Sequence, residues 1–349
     1  MTTTAPEPAD LLISNAVVVT MNPNRDVLTD GAVVIDDGVI VGVGNTADLL
    51  GRYSPAERID GSRFVVVPGL VNGHIHASTE PLTRGLLPDD LPFEENVFQW
   101  LSPLAAAGTE EDEHLAVQLG AVEMLASGTT TFLEAATGWH VDAAVEGLLE
   151  TGIRARVGRR IWDRPFEPRK FRQTTEQAIA GLEDMLARHG SHADGRISAW
   201  ATLVGHTTCS DELWQAAAKL AASHGTGLSF HMSPAAADPA GFLEAYGERP
   251  FQHLARLGVL GPAAVATHCV HVDDSEVALL AETASHVVHC PTTALKVAYG
   301  VTQIGKIPEM VEQGVNVCLG TDGNNAANYS DLYRATYLAA GLFKDARRD

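Results

Sequence analysis

The fold of this chain can be inferred outward from residues 65–77, which read VVVPGLVNGHIHA. An apolar run ends there at His74 and His76, where a polar segment begins. Because residues i and i+2 of a β-strand point to the same face, the two imidazoles aim at one point. Imidazole nitrogen is a preferred ligand of zinc-type ions, so the pair favours one part of a metal site. Two strand-end histidines that face solvent are the alternative at this stage.

The residues before this segment predict a small β platform over residues 1–67. The runs LLISNAVVVTM, GAVVIDDG and VIVGVG are rich in Val and Ile and have the length of strands. Asp37 and Gly38 lie between two of these runs and predict a tight hairpin turn. The region is too small and too rich in strands for an alternating βα system, so we expect a separate β-sandwich.

From residue 68 onward, short apolar strands alternate with amphipathic helical stretches, which is typical of parallel βα units. This α/β pattern predicts a closed (β/α)8 TIM-like barrel over residues 68–349, with catalytic groups at the carboxyl ends of the strands. An open doubly wound sheet is the alternative, but no glycine-rich phosphate loop follows an early strand. The eight strands are expected at residues 69–74, 129–134, 153–158, 197–204, 227–232, 264–269, 286–290 and 315–321.

Ionisable side chains lie at the carboxyl ends of four of these predicted strands. His74 and His76 end the first strand, His231 the fifth, His268 the sixth and Asp322 the eighth. In a barrel these ends form one ring, so residues far apart in sequence become neighbours. Any one of them alone would be interpreted as a structural residue, but their shared position favours a metal site.

Five stretches, PGLVNGHIHA, HMS, THCVHVDDSE, HCPTTALK and LGTDGNN, resemble successive motifs of the amidohydrolase superfamily. The most similar branch contains S-adenosylhomocysteine and methylthioadenosine deaminases, guanine deaminases and triazine hydrolases. The resemblance implies one divalent metal ion, usually zinc with iron as the alternative, bound by His74, His76, His231 and Asp322. It implies that His268 either touches the metal or holds its bound water. Residues 196–210 lack the lysine that the binuclear members carboxylate, so a single metal ion is expected.

The ligand set implies a hydrolase in which a metal-activated water attacks an amidine-like or amide-like carbon of a nitrogen-bearing small molecule. Ammonia, an amine or another leaving group would then depart. We assign two catalytic residues: Asp322 as the general base and His268 as the group that orients the hydroxide. A catalytically silent relative that binds a ligand or partner through the same barrel mouth is the alternative.

One departure from the resemblance concerns the fifth strand, which reads His231-Met232-Ser233-Pro234. The deaminase branch has a glutamate at the position of Pro234, and that glutamate moves a proton to the substrate ring. Candidates to replace it are Glu134, His206 and Asp238. A second departure is Thr293-Ala294, where the branch has Ser-Asn. Substrate choice is therefore where we expect this chain to differ from its relatives.

Substrate-binding roles are predicted for His206, Glu134 and Trp100. His206 resembles the fourth-strand histidine that contacts substrate in relatives, and a histidine that only caps the next helix is its alternative. Glu134 could equally be a structural carboxylate. Trp100 belongs to a long loop at residues 80–103, of the kind that forms lids and binding loops, and packing of that loop on the barrel is its alternative.

The composition of the chain limits the kinds of partner that we expect it to bind. The formal net charge of -20 argues against nucleic acid and anionic membrane surfaces, so we expect a small-molecule substrate. The four cysteines form no CxxC pair and the first residues contain no signal peptide, which favours the cytoplasm. We also expect a homo-oligomer. Because relatives continue further, we expect the barrel and platform to be incomplete at the carboxyl end of this chain.

Overall fold

The structure is a computed structural model that describes residues 5–164 and 169–348. The chain divides into two compact units, residues 1–69 and residues 70–349. Within the described residues, no helix has both the length and the apolar composition that crossing a membrane would require.

In the first unit, residues 5–69 form one β-sheet and one helix. Its strands are β1 (Glu7–Val19), β2 (Val27–Asp36), β3 (Val39–Asn45), β4 (Tyr53–Asp60) and β5 (Val65–Val66), and its helix is α1 (Thr46–Arg52). The strand order is β3-β2-β1-β4, with β5 also paired to β1. The hairpin predicted at Asp37-Gly38 is confirmed, because both residues have positive φ angles (47° and 71°) and join β2 to its antiparallel neighbour β3. A sandwich needs a second sheet, which the described residues of this unit do not supply.

The described residues of the second unit form nine parallel strands in two sheets. The first sheet has the order β6 (Leu70–Ile75), β7 (Thr129–Glu134), β8 (Arg154–Val157) and β9 (Ile197–Ala199). The second has the order β10 (Ala201–Gly205), β11 (Leu228–Met232), β12 (Ala264–His268), β13 (His286–His289) and β14 (Asn316–Leu319). The α/β class with parallel sheets is therefore confirmed.

The strand predicted at residues 197–204 is divided at Trp200, and this division separates the two sheets. The Trp200 N–H still donates to the carbonyl of Val157 (2.9 Å), so the chain passes from the first sheet directly into the second. At the other end, the Asp322 N–H donates to the carbonyl of His74 (3.0 Å). The two sheets are therefore adjacent along the chain at β9 and β10, and a hydrogen bond joins the segment after β14 to β6.

Helices cover the connections between these strands. Capping boxes begin three of them, at Thr109, Thr174 and Asp273, because each side chain accepts a hydrogen bond from the third helical residue. The helices are α2 (Glu80–Thr83), α3 (Ser102–Ala107), α4 (Glu110–Ala126), α5 (Val141–Thr151), α6 (Thr175–Arg188), α7 (Asp211–His224), α8 (Ala237–Tyr246), α9 (Pro250–Arg256), α10 (Asp274–Glu282), α11 (Pro291–Lys296), α12 (Val301–Ile304), α13 (Ile307–Glu312), α14 (Asn324–Ala327) and α15 (Leu332–Arg347). A π-helix spans Glu95–Leu101, and short 3-10 turns span Arg169–Phe171 and His206–Thr208.

His289, at the end of β13, is buried in the core of this unit, where it lies against the ring of Phe343. Neither ring nitrogen has a hydrogen-bond partner among the described residues, and burial lowers the pKa of His289 to about 4. The folded protein therefore keeps this ring neutral at pH values where the unfolded chain, with a pKa near 6.5, binds a proton.

We expect this ring to make unfolding easier in acid. As the pH falls from about 6.5 toward 4, protonation favours the unfolded chain by up to about 3 kcal/mol. His289→Leu has no imidazole to protonate. The free energy of unfolding of the variant minus that of wild type should therefore increase by up to about 3 kcal/mol as the pH is lowered from 7.5 to 4. Urea unfolding of the metal-free protein measures the difference. A difference that is independent of pH would contradict the prediction.

Candidate active site

Four side chains from three strands converge at the carboxyl ends of the sheets. His74 belongs to β6, His76 follows it directly, His231 belongs to β11, and Asp322 follows β14. The His76 Nε2 atom lies 3.2 Å from His231 Nε2 and 3.2 Å from Asp322 Oδ1, and His74 Nε2 lies 3.6 Å from the same oxygen. The structure thus brings together the residues predicted to bind metal, with the HxH pair aimed at one point.

The hydrogen bonds of the three imidazoles fit a metal ion. Each Nδ1 atom lies within hydrogen-bond distance of an oxygen, which leaves each Nε2 lone pair directed at the common centre. The pairs are His74 with the Thr267 hydroxyl (2.9 Å), His231 with the Val204 carbonyl (2.8 Å) and His76 with the Glu80 carboxylate (2.5 Å). His74 Nε2 is a buried nitrogen without a hydrogen-bond partner in the described part of the chain. Such an orphaned nitrogen beside a carboxylate matches the donor set of a divalent metal site.

Burial sets the protonation of most of this centre. It lowers the pKa of His74 and, together with the neighbouring imidazoles, holds the pKa of His231 well below its usual range. Burial alone would raise the pKa of Asp322, but the hydrogen bond to His74 and the positive charge of His76 hold it well below its usual range. Neutral imidazoles beside an ionised carboxylate are the protonation states that ligate a cation.

Glu80, which is not among the predicted site residues, is also a part of this centre. Burial alone would lower the pKa of His76, but the Glu80 carboxylate outweighs it and, with Asp322 and Glu134, raises the pKa to about 9. Glu80 itself is buried, and its second oxygen accepts from the Asn325 N–H (3.2 Å). The sequence feature that could have indicated this role is the position of Glu80, four residues after His76 of the HxH pair.

His268 lies at the margin of the cluster. Its Nε2 atom is 4.0 Å from Asp322 Oδ2, and its ring centroid is 5.6 Å from that of His74 and 5.7 Å from that of His231. Burial, together with His74 and His206, lowers the pKa of His268 to about 3. The ring is therefore neutral and close enough to join the ligand set or to act beside it.

The backbone at these strand ends lies in the left-handed region. The φ angles are 54° at His206, 54° at Ser233, 78° at His268 and 65° at Asp322. This region costs non-glycine residues about 1–3 kcal/mol each, and such strain is concentrated at active sites. Three of the four, His206, His268 and Asp322, are predicted functional residues, so the backbone turns where their side chains leave the strands.

These residues form the floor of a cavity that the predicted 80–103 loop helps to enclose. The loop contributes Glu80, Phe93, Ser102 and the π-helix residues Asn96, Val97 and Leu101. The other lining residues are His76, Ala136, Thr137, Arg160, Val204, His206, His231, His268, Thr293, Val297, Tyr299, Asp322 and Ala326. A metal-ligand cluster at the base of a partly apolar cavity is the usual arrangement of a small-molecule active site.

The three residues predicted to bind substrate occupy different positions. His206 lines the cavity, and its Nδ1 lies 2.7 Å from the carboxylate of Asp238, which also accepts from the Ser233 N–H (2.7 Å). Glu134 is buried behind the wall, where it accepts hydrogen bonds from Thr137. Trp100 is 38% exposed and does not line the cavity. Trp100 and Glu134 gain no support from this geometry, and their roles stay predictions.

Arg160 is a second residue that the sequence analysis did not identify. It follows β8, is buried, and lines the cavity beside Ala136 and Thr137. The segment VGRRIWD contains two adjacent arginines, and only the fold determines which one faces the cavity.

The chain is similar over almost its whole length to known deaminases. It is 36% identical to a 5-methylthioadenosine/S-adenosylhomocysteine deaminase from Syntrophobacter fumaroxidans, over 98% of this chain and 75% of that protein. It is 34% identical to a 5'-deoxyadenosine deaminase from Methanosarcina mazei, over 96% of this chain and 74% of that protein. The solved structure of an adenosine deaminase from Xanthomonas campestris with bound zinc superposes with a TM-score of 0.89 at 31% identity, over 99% of this chain and 76% of that one.

These comparisons confirm the predicted enzyme class, a hydrolase that acts on carbon-nitrogen bonds other than peptide bonds. The silent binding protein is not favoured. A sequence model of the amidohydrolase family matches residues 65–345, which contain every residue of the cluster described above. The chain therefore belongs to the amidohydrolase family.

Proposed function

We propose that this chain is a zinc-dependent deaminase that releases ammonia from a nitrogen-bearing small molecule. The convergence of three imidazole Nε2 atoms and the Asp322 carboxylate at the floor of one cavity carries this proposal. The similarity to deaminases, and to an adenosine deaminase that binds zinc, supports it.

His74, His76, His231 and Asp322 are proposed as the ligands, with His268 beside them. A zinc ion held by these residues would supply a water of lowered pKa. Asp322, ionised and 3.2 Å from His76 Nε2, would accept a proton from that water. His268 would orient the water, and His206, fixed by Asp238, would hydrogen-bond the substrate.

We also propose that the two parallel sheets form one closed (β/α)8 barrel, with the first unit as the platform. The direct passage of the chain from β9 into β10 and the hydrogen bond from Asp322 to His74 support closure, since they join the margins of both sheets. The sandwich form of the platform, the missing carboxyl-terminal part, the homo-oligomer and the cytoplasmic location stay predictions.

Metal analysis followed by an ammonia-release screen over purines, pterins and triazines tests the proposed function. We expect one zinc ion per chain and ammonia release from at least one class. A purified protein that binds no divalent metal, or a zinc-loaded protein that releases ammonia from none of these compounds, would count against it.

Pro234 should shift the substrate preference away from adenosine-like compounds. Proline cannot transfer a proton, so substrates whose reaction needs less protonation of a ring nitrogen should have a higher kcat/KM. Loss of a general acid lowers the reaction rate about a hundred- to ten-thousandfold. Because glutamate can supply such an acid, Pro234→Glu should raise activity on adenosine derivatives relative to wild type. Fast deamination of adenosine derivatives by wild type, unchanged by replacing both Glu134 and His206, would refute the prediction.

Glu80→Gln should weaken zinc binding. The carboxylate fixes the tautomer and orientation of His76, and removal of such a partner costs about 10- to 100-fold in metal affinity. The zinc dissociation constant, measured by competition with a chromophoric chelator, tests this directly. Glu111→Gln, a change at an exposed helix residue, is the control. Equal zinc affinity of Glu80→Gln and wild type would contradict the prediction.

A further inference from the structure

Tyr299 lines the wall of the active-site cavity and has no role in the function proposed so far. It follows α11, is 7% exposed, and lies on the cavity beside His268. Its N–H donates to the Ala294 carbonyl (3.0 Å), and its own carbonyl lies 3.1 Å from His271 Nε2. Among the described residues, its phenol hydroxyl makes no hydrogen bond. Because a buried phenol usually has a hydrogen-bond partner, this hydroxyl is available to a ligand.

The same wall carries a second hydroxyl group without a partner. Thr293 belongs to α11, is 2% exposed and also lines the cavity. Its Oγ1 atom is buried and has no hydrogen bond within the part of the chain that the structure describes. Unpaired buried polar groups are rare in folded proteins, so two of them on one cavity wall indicate that this wall meets polar atoms of a ligand.

Aromatic rings on the cavity wall favour a planar ligand. The ring centroid of Tyr299 lies 5.9 Å from that of Phe93 and 5.8 Å from that of His268, both in edge-on contacts. Phe93 in turn lies 5.6 Å from the ring of His206. These contacts fix the direction of the phenol, and all four rings line the same cavity.

The phenol lies close to both the metal site and the segment that contains Pro234. Burial raises the pKa of Tyr299 well above its usual range, and the charges of Asp322 and Asp238 add to this effect. Asp322 belongs to the metal site, and Asp238 accepts from the N–H of Ser233, the residue before Pro234 (2.7 Å). The hydroxyl therefore keeps its proton near neutral pH and acts as a hydrogen-bond donor.

Two of the three residues predicted to replace the missing glutamate do not face the substrate. Glu134 and Asp238 do not line the cavity. His206 does, but its Nδ1 is held by Asp238 (2.7 Å) and only its other ring nitrogen is available to a ligand. Tyr299 is thus a further donor on the cavity wall beside His268.

We propose that the Tyr299 hydroxyl donates a hydrogen bond to the ring nitrogen beside the attacked carbon of a planar heteroaromatic substrate. This inference rests on the proposed function. When water adds to that carbon, negative charge develops on the neighbouring ring nitrogen, and a donor fixed at this position stabilises it. A phenol that keeps its proton stabilises this charge less than an acid that transfers one, which agrees with the gain expected for Pro234→Glu.

Ligand pairs that differ by one ring atom test this proposal. Purine with 1-deazapurine is one pair, and 2-pyrimidinone with 2-pyridone is the other. In each pair C–H replaces one ring nitrogen, and none of these compounds carries an amine that could leave. In calorimetric titrations of the zinc-loaded wild type, the member with the additional nitrogen should bind about three- to tenfold more tightly, the size of one neutral hydrogen bond. Tyr299→Phe removes only the hydroxyl group and should abolish this preference.

Tyr337→Phe is the matched control, because Tyr337 is 82% exposed on α15, and it should keep the full preference. Zinc content and thermal unfolding check that each variant folds, and Tyr299→Met, which also lacks the hydroxyl, decides the question if Tyr299→Phe does not fold. Equal affinities within both pairs in wild type, no binding of any of these compounds, or a preference unchanged by loss of the hydroxyl would overturn the proposal. Ammonia release is assayed separately, so a protein that shows the preference but releases no ammonia counts only against the proposed function.

Discussion

Asp322→Asn should lower turnover about a hundred- to ten-thousandfold while zinc affinity falls only modestly. Asp322 Oδ1 lies 3.6 Å from His74 Nε2 and accepts from the Gly323 N–H (2.8 Å), so its position is fixed beside the ligand cluster. An asparagine oxygen can keep these contacts and still coordinate a metal, but it cannot accept the proton of the attacking water. Steady-state kinetics at saturating zinc, with zinc content measured on the same sample, separates the two roles.

The control for this variant is Asp184→Asn, which changes an exposed carboxylate that pairs with Arg188. It should leave both turnover and zinc content unchanged. Near-normal turnover of zinc-saturated Asp322→Asn, together with an inactive His268→Ala, would show that His268 is the base and Asp322 only a ligand.

Loss of either histidine of the HxH pair should remove zinc and activity together. His74 is 1% exposed, and its Nε2 has no other partner among the described residues. His74→Ala therefore removes one proposed ligand, and the methyl group of alanine cannot replace it. His76→Ala additionally leaves the Glu80 carboxylate buried without its imidazole partner. Both variants should contain far less than one zinc ion per chain and should lack measurable ammonia release.

Elemental analysis after gel filtration measures the zinc content of these variants. His224→Ala, at an exposed position near the end of α7, should bind zinc as wild type does. Chelation of wild type should abolish activity, and added zinc should restore it. Full activity after exhaustive chelation would refute the metal site altogether.

Periodicity made the architecture of the second unit predictable. Apolar runs of strand length alternate with helical stretches, and the predicted strand at residues 129–134 coincides with β7. Division of one strand at Trp200 could not be predicted, because it depends on which neighbouring strand each residue pairs with. The β platform was predicted as strands, but the number of sheets depends on pairing between strands distant in sequence.

The positions of the metal-site residues followed from one physical rule, that parallel strand ends meet at one edge. His231 and Asp322 could be placed beside His74 for this reason before any contact was known. Arg160 lies in the segment after β8, Glu80 begins the four-residue helix α2, and Trp100 belongs to a short π-helix. The direction of a side chain in such short irregular elements depends on local turns that no periodicity specifies. Their contacts had to come from the structure.

The cavity is lined partly by residues at strand ends and partly by residues of a loop. This arrangement affects how the substrate specificity of such an enzyme can evolve. At the strand ends, Asp322 and the neighbouring His268 lie on strained backbone beside the other ligands, so we expect substitutions there to disturb folding and metal binding at once. Phe93 and three residues of the π-helix Glu95–Leu101 also line the cavity, and this segment contains no member of the ligand cluster. Substitutions in this segment can therefore accumulate without loss of the metal. Evolution, or a mutant library confined to these few codons, should reach a new substrate specificity more easily than a new reaction.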